Sequence, residues 1–93
     1  NLQFVKEISS TNNLLPADLV SIFPNPASDY LQLDFGDQLP ERLQLFSASG
    51  KLLSEELVDG SIKQLSIAHL PKGFYIVRSK IEEGWVVSRF VKQ

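Results

Sequence analysis

The sequence predicts an all-β domain, a sandwich of two antiparallel sheets made from about seven short strands. Three observations carry this. Apolar and polar residues alternate with period two over runs of roughly four to eight residues, the pattern of strands with one buried face. Turn-forming residues recur about every 8 to 12 positions, at Gly36-Asp37, Ser49-Gly50, Asp59-Gly60, Pro71-Lys72-Gly73 and Glu83-Gly84. No stretch of about ten or more residues carries a helical apolar stripe.

Residues 1–18, "NLQFVKEISSTNNLLPAD", differ from the rest of the chain. Ser9 to Asn13 read as linker, and Leu2, Phe4, Val5 and Ile8 as a short strand at the tail of an upstream unit. The sandwich is expected over 19–93. Its first strand, "LVSIF", runs into Pro24. Pro24 and Pro26 have no amide hydrogen to give a ladder, and each pushes Phe23 or Asn25 toward extended geometry. Pro24-Asn25-Pro26 therefore reads as a corner, suited to an edge strand crossing between sheets. Ser28 and Asp29 supply the turn, and "YLQLDF" restarts the alternation with Leu31, Leu33 and Phe35 on one face.

"RLQLFS" puts Leu43 and Leu45 together, and "GKLLSEEL" comes after the Ser49-Gly50 turn. "SIKQLSIAHL" is a further alternating run with Ile62, Leu65 and Ile67. The two richest runs, "GFYIVRSKI" and "GWVVSRFVK", are joined at Glu82-Glu83 as a hairpin. In them Tyr75, Val77 and Ile81 share one face, opposite Phe74, Ile76, Arg78 and Lys80. Val86, Ser88 and Phe90 oppose Trp85, Val87 and Val91. Both faces hold apolar groups, so one packs inward and the other leaves an apolar patch beside Arg and Lys, a common mark of a contact surface. A covering by residues 1–18 or by an upstream domain is the competing expectation.

Ninety-three residues make one small domain. With no cysteine there is no disulfide and no thiolate metal site. The net charge of −2, from nine basic and eleven acidic residues, argues against a nucleic-acid partner. No apolar run approaches the roughly 20 residues that span a bilayer. The chain starts without Met or a signal-peptide pattern, as a fragment or processed product would.

Catalysis finds no footing. The single histidine, His69, sits in "IAHLPKG" with nothing local to complete a triad, and reads as a turn or rim residue. Asp34 and Asp37 lack the spacing of a calcium loop, and no glycine motif would cradle phosphate. Adjacent pairs such as Glu55-Glu56 point apart in a strand. No catalytic residue, metal or cofactor is expected.

Four pieces of sequence, in order, resemble a known family. "VSIFPNPASDYLQLDF" is similar to the opening of type A C-terminal sorting domains of the type IX (Por) secretion system of the Bacteroidetes, through Pro24, Asn25 and Pro26. "LQLFSASGKLL" matches the family's next strand and turn, with Gly50 and Lys51. "LPKGFYIVR" matches the Gly-X-Tyr piece, with Leu70, Gly73, Tyr75 and Val77. "SRFVKQ" resembles the basic closing strand, with Arg89 and Lys92. The likeness covers about residues 19–93. Ser49 stands where the family varies among Asn, Gln and Thr, and Gln93 comes after the final Lys.

The resemblance implies a small immunoglobulin-like sandwich that acts as a signal rather than an enzyme. Its cargo would cross the periplasm, and the folded domain would be recognised by the outer-membrane translocon and its shuttle protein. A surface sortase would usually remove it, with attachment of the cargo to anionic lipopolysaccharide, leaving the cargo at the outer-membrane surface or secreted. Cleavage would fall within residues 1–18, where a flexible polar stretch suits a protease. Arg89, Phe90, Val91 and Lys92 are the expected recognition residues, with edge pairing by the last strand as one mode. Free edges and an apolar patch also invite homodimerisation. The main alternative is a retained adaptor or a carbohydrate- or protein-binding sandwich, with Trp85 and Tyr75 as stacking residues. A structural spacer is a third reading.

Overall fold

The computed structural model describes residues 14–93. Eight strands lie there: β1 (Leu14–Leu15), β2 (Ser21–Phe23), β3 (Tyr30–Asp34), β4 (Pro40–Ser47), β5 (Leu52–Leu57), β6 (Ile62–Ser66), β7 (Gly73–Ile81) and β8 (Gly84–Lys92). A 3-10 turn spans Ala17–Leu19. The strands form a five-stranded sheet in the order β1-β8-β7-β4-β5 and a three-stranded sheet in the order β2-β3-β6. Every pairing is antiparallel except that of the two-residue β1 with β8. This is the β-sandwich that the alternation predicts.

Period two places the core. Leu31, Leu33 and Phe35 project from β3 and its end toward Leu43, Leu45, Val77, Ile81, Val86 and Phe90 of the larger sheet, and all are buried. Leu65 and Ile67 join them, but Ile62 is exposed. Ile62 and Leu65 are three positions apart, an odd step, so within one strand they must face opposite ways. Across the open flank, Lys63 of β6 meets Glu56 of β5 at 2.7 Å. An exposed pair of this kind contributes at most about 1 kcal/mol.

One sequence expectation is corrected. The Pro24-Asn25-Pro26 corner does not carry a strand from one sheet to the other. β2 and β3 are antiparallel neighbours in the same sheet, with Phe23 opposite Gln32. Leu14 and Leu15, within the segment expected to be a cargo-proximal linker, lie along β8 opposite Trp85 and Val86. The strand expected over Leu2 to Ile8 and the linker over Ser9 to Asn13 fall outside the described residues.

The registers sort the connections into two ends. Gly73 pairs with Lys92, Ser47 with Tyr75, and Tyr30 with Ser66. The β2–β3, β4–β5 and β6–β7 connections and the end of β8 therefore share one end of the sandwich. At the other end, Pro40 pairs with Ile81 and Asp34 with both Ser21 and Ile62. That end gathers the β3–β4, β5–β6 and β7–β8 connections.

Candidate recognition site

The corner at Pro24-Asn25-Pro26 is built against the last strand. Both X-Pro peptide bonds, Phe23–Pro24 and Asn25–Pro26, are cis. The Val91 N–H donates to Asn25 Oδ1 at 3.0 Å. The Ala27 N–H donates to the Val91 carbonyl at 2.8 Å, and the Gln93 N–H donates to the Ala27 carbonyl at 2.8 Å. Ala27 itself is buried and bridges to Lys92. The prolines stop the β2 ladder because they cannot donate. Asn25 and Ala27 then supply the donor and acceptors that the outer side of β8 needs. The corner is thus a clasp that ties the smaller sheet to the end of the larger one.

Replacing Asn25 removes one of these bonds. Asn25→Ala is expected to lower the unfolding free energy by about 1 kcal/mol, measured by urea denaturation of the 93-residue chain. Asn25→Asp keeps an acceptor for the Val91 N–H and should stay close to the parent. Equal losses in both variants would place the effect in the loop rather than in the bond.

Tyr75 and Phe90 complete the clasp from inside. Their rings stack at 5.5 Å between centroids and 20° between planes. The Tyr75 hydroxyl donates to the Pro71 carbonyl at 2.6 Å. That bond pins the loop carrying Leu70, which packs on the core and donates its N–H to the Ile67 carbonyl. Val77 lies further along the same inward face. Gly73 opens β7 opposite Lys92.

The β4–β5 turn lies at the same end. The Gly50 N–H donates to the Ser47 carbonyl, and the Ser47 N–H donates to the Lys51 carbonyl, both at 2.9 Å. Gly50 has φ of 93°, a region that side chains with a Cβ rarely enter. Ser49, which precedes it, forms a hydroxyl–hydroxyl hydrogen bond with Ser47 at 2.9 Å.

The four closing residues alternate. Arg89 is exposed and Val91 half-buried on the outer face, while Phe90 is 0% exposed and Lys92 8%. Lys92 Nζ donates to the Gln93 carbonyl at 3.0 Å. Of the expected contact residues, then, only Arg89 and Val91 present side chains outward. Phe90 acts from within the core.

Nor is β8 an open edge. β1 runs along Trp85 and Val86, and Ala27 lies along Lys92. By alternation with Val91, the Arg89 backbone groups face the gap between these two covers. The stacking residues of the carbohydrate-binding alternative are also placed. Tyr75 is buried, and the Arg78 guanidinium lies over the Trp85 ring at 4.3 Å.

Two shallow hollows mark the outer face here, of about 180 and 250 Å³. Asn25, Arg89, Phe90 and Val91 line the first with Phe74, and Ala48 and Ile76 line the second with Phe74 and Arg89. Phe74 is 64% exposed and lies between them. No sequence signal marked Phe74 as a site residue beyond its place on the apolar outer face. Among the described residues no group of His, Cys, Asp or Glu is arranged to hold a metal ion. No helix there is long and apolar enough to cross a membrane.

Comparison with known proteins adds a family and a fold. The model of the secretion system C-terminal sorting domain family matches residues 21–93. No curated protein matches the chain. Among solved structures, a superoxide reductase (neelaredoxin) from Ignicoccus hospitalis superposes with a TM-score of 0.62 at 12% identity, covering 92% of this chain and 98% of that one. At that identity the likeness shows a shared fold and nothing of activity.

Proposed function

The chain belongs to the secretion system C-terminal sorting domain family, the signals of type IX secretion, and from that premise we propose that it is read in its folded state by the outer-membrane translocon and its shuttle protein. A sorting domain directs its cargo out of the cell, to the surface or the medium, and is not an enzyme. In the proposed sequence of events the cargo passes through the periplasm and the sandwich docks by its motif end. A surface sortase then cuts upstream of the sandwich, and the cargo is released or joined to anionic lipopolysaccharide.

One observation supports reading in the folded state. Pro24-Asn25-Pro26, Gly50-Lys51, Leu70 to Tyr75 and Arg89 to Lys92 are far apart in sequence, yet the strand registers carry all four to one end of the sandwich, with Val77 deeper along β7. An unfolded chain would present them as separate short segments. A folded one presents them as a single surface, with Arg89 and Val91 outward and Tyr75, Phe90 and Lys92 bracing it from behind.

The test fuses residues 1–93 to the C-terminus of a signal-peptide-bearing fluorescent reporter. Expression is compared in a strain with type IX secretion and in an isogenic strain without the translocon. Reporter at the surface or in the medium of the competent strain alone is the expected result. A released reporter lighter by the mass of the sandwich indicates removal, and one of full mass indicates a retained anchor. Reporter held in the periplasm of both strains refutes the proposal.

A further inference from the structure

Resting on that reading, we propose that the outer face of the five-stranded sheet around Phe74 and Arg89 docks a protein partner that presents an apolar side chain beside a carboxylate. The apolar half of the argument is the pair of hollows. Phe74 stands between them, and Ile76, Ala48 and Val91 provide their walls. Phe74 is 64% exposed on the face away from the core, which leaves most of an apolar ring in water. Aromatic residues and arginine are enriched at the centres of protein interfaces.

The carboxylate half comes from charge. Arg42, Lys63 and Lys80 each reach a glutamate, and Arg78 lies on Trp85. Among the described residues Arg89 has no such partner. Its cross-strand neighbour is Ile76, and Phe74 flanks it in both hollows. An exposed guanidinium beside apolar side chains is matched by a carboxylate, which accepts two parallel hydrogen bonds from it.

The wider field agrees. Connections at the motif end carry Lys51 and Lys72 against the lone carboxylate Asp29, while those at the far end carry Asp37, Asp59, Glu82 and Glu83 with no Lys or Arg. The domain is electrically polar along its strands, basic where the motifs meet. Such a field orients a domain toward an acidic partner before contact. A flat anionic lipid surface fits less well. Laid against this face, it would also meet Glu55 and Glu41, which pair with Arg42 and Lys80 on the same sheet.

The test uses the reporter fusion with Phe74→Ser, Arg89→Lys, Arg89→Gln and Arg89→Glu. Ile62→Ser, exposed on the other sheet at the far end, is the control. Thermal melts of the purified 93-residue chains check that each variant folds. Export is expected to fall about tenfold for Phe74→Ser and Arg89→Glu, the scale of losing an interface anchor. Arg89→Gln should lose less than Arg89→Glu, Arg89→Lys, which keeps the charge but not the two-pronged hydrogen bond, should fall between the parent and Arg89→Gln, and Ile62→Ser should be unchanged.

Parental export by Phe74→Ser and Arg89→Glu overturns the docking surface while leaving the sorting function standing. Equal losses in Arg89→Gln and Arg89→Glu overturn the facing carboxylate. Sedimentation of the parent chain with phosphatidylglycerol vesicles, abolished by Arg89→Glu, overturns the protein partner in favour of lipid. Failure of the parent fusion to leave the periplasm removes the sorting premise itself, and with it this surface.

Discussion

Phe90→Ala is expected to lower the unfolding free energy by about 3–5 kcal/mol, the cost of deleting a fully buried aromatic side chain. Phe90 is 0% exposed and lies in the main core cluster. Its ring stacks on Tyr75, so the variant also takes away the support that holds the Tyr75 hydroxyl on the Pro71 carbonyl. Small domains have total stabilities of about 5–15 kcal/mol, so the variant should sit close to its unfolding midpoint. Export should fall because the signal is no longer folded. Phe90→Leu separates packing from contact. It keeps most of the apolar volume, so both stability and export should largely return. Parent-like stability with export still lost would mean that a partner touches the ring, contrary to its burial.

How far the sequence was legible depended on the range of the interaction. The strands were readable because burial in a two-layer sandwich imposes period two locally, and Leu31-Gln32-Leu33-Asp34-Phe35 shows that period without interruption. The same alternation carries the facing of the last strand. Phe90 and Lys92 fall in phase with buried Val86, and Arg89 and Val91 in phase with Trp85. Treating residues 89–92 as one contact stretch set that phase aside. The purpose of Pro24-Asn25-Pro26 was only half legible. Proline chemistry says where β2 must stop, but the bond from Val91 to Asn25 spans 66 positions and leaves no local trace. Leu14 and Leu15 were hidden for a related reason. Two residues are too few to show any period, and only their pairing with Trp85 and Val86 makes them a strand. Phe74 could be placed on the outer face by alternation. Its neighbours in the hollows, Asn25 and Ala48, come from other connections and become visible only once the sheet is assembled.

Truncation after Ser88 is expected to unfold the chain, and so to abolish export for a reason unrelated to recognition. The cut removes Phe90 from the core and its stack from Tyr75. It also removes the Val91 and Gln93 partners of Asn25 and Ala27, and every cross-strand neighbour of Gly73 through Ile76 on β8. Loss of the ring alone costs about 3–5 kcal/mol, and each abandoned hydrogen bond adds roughly 1 kcal/mol. Together these reach the whole stability of a domain this size. The far-UV spectrum of the truncated chain should lose its sheet character, and protease should cut it at sites that the parent protects. A truncated chain with the parent's spectrum and a cooperative melt would refute this, and would show β8 to be dispensable to the sandwich. With the expected unfolding, deleting the last strand cannot identify what a translocon reads. Only exposed substitutions such as Arg89→Glu and Phe74→Ser, which leave Phe90 and the corner clasp in place, separate a lost contact from a lost fold.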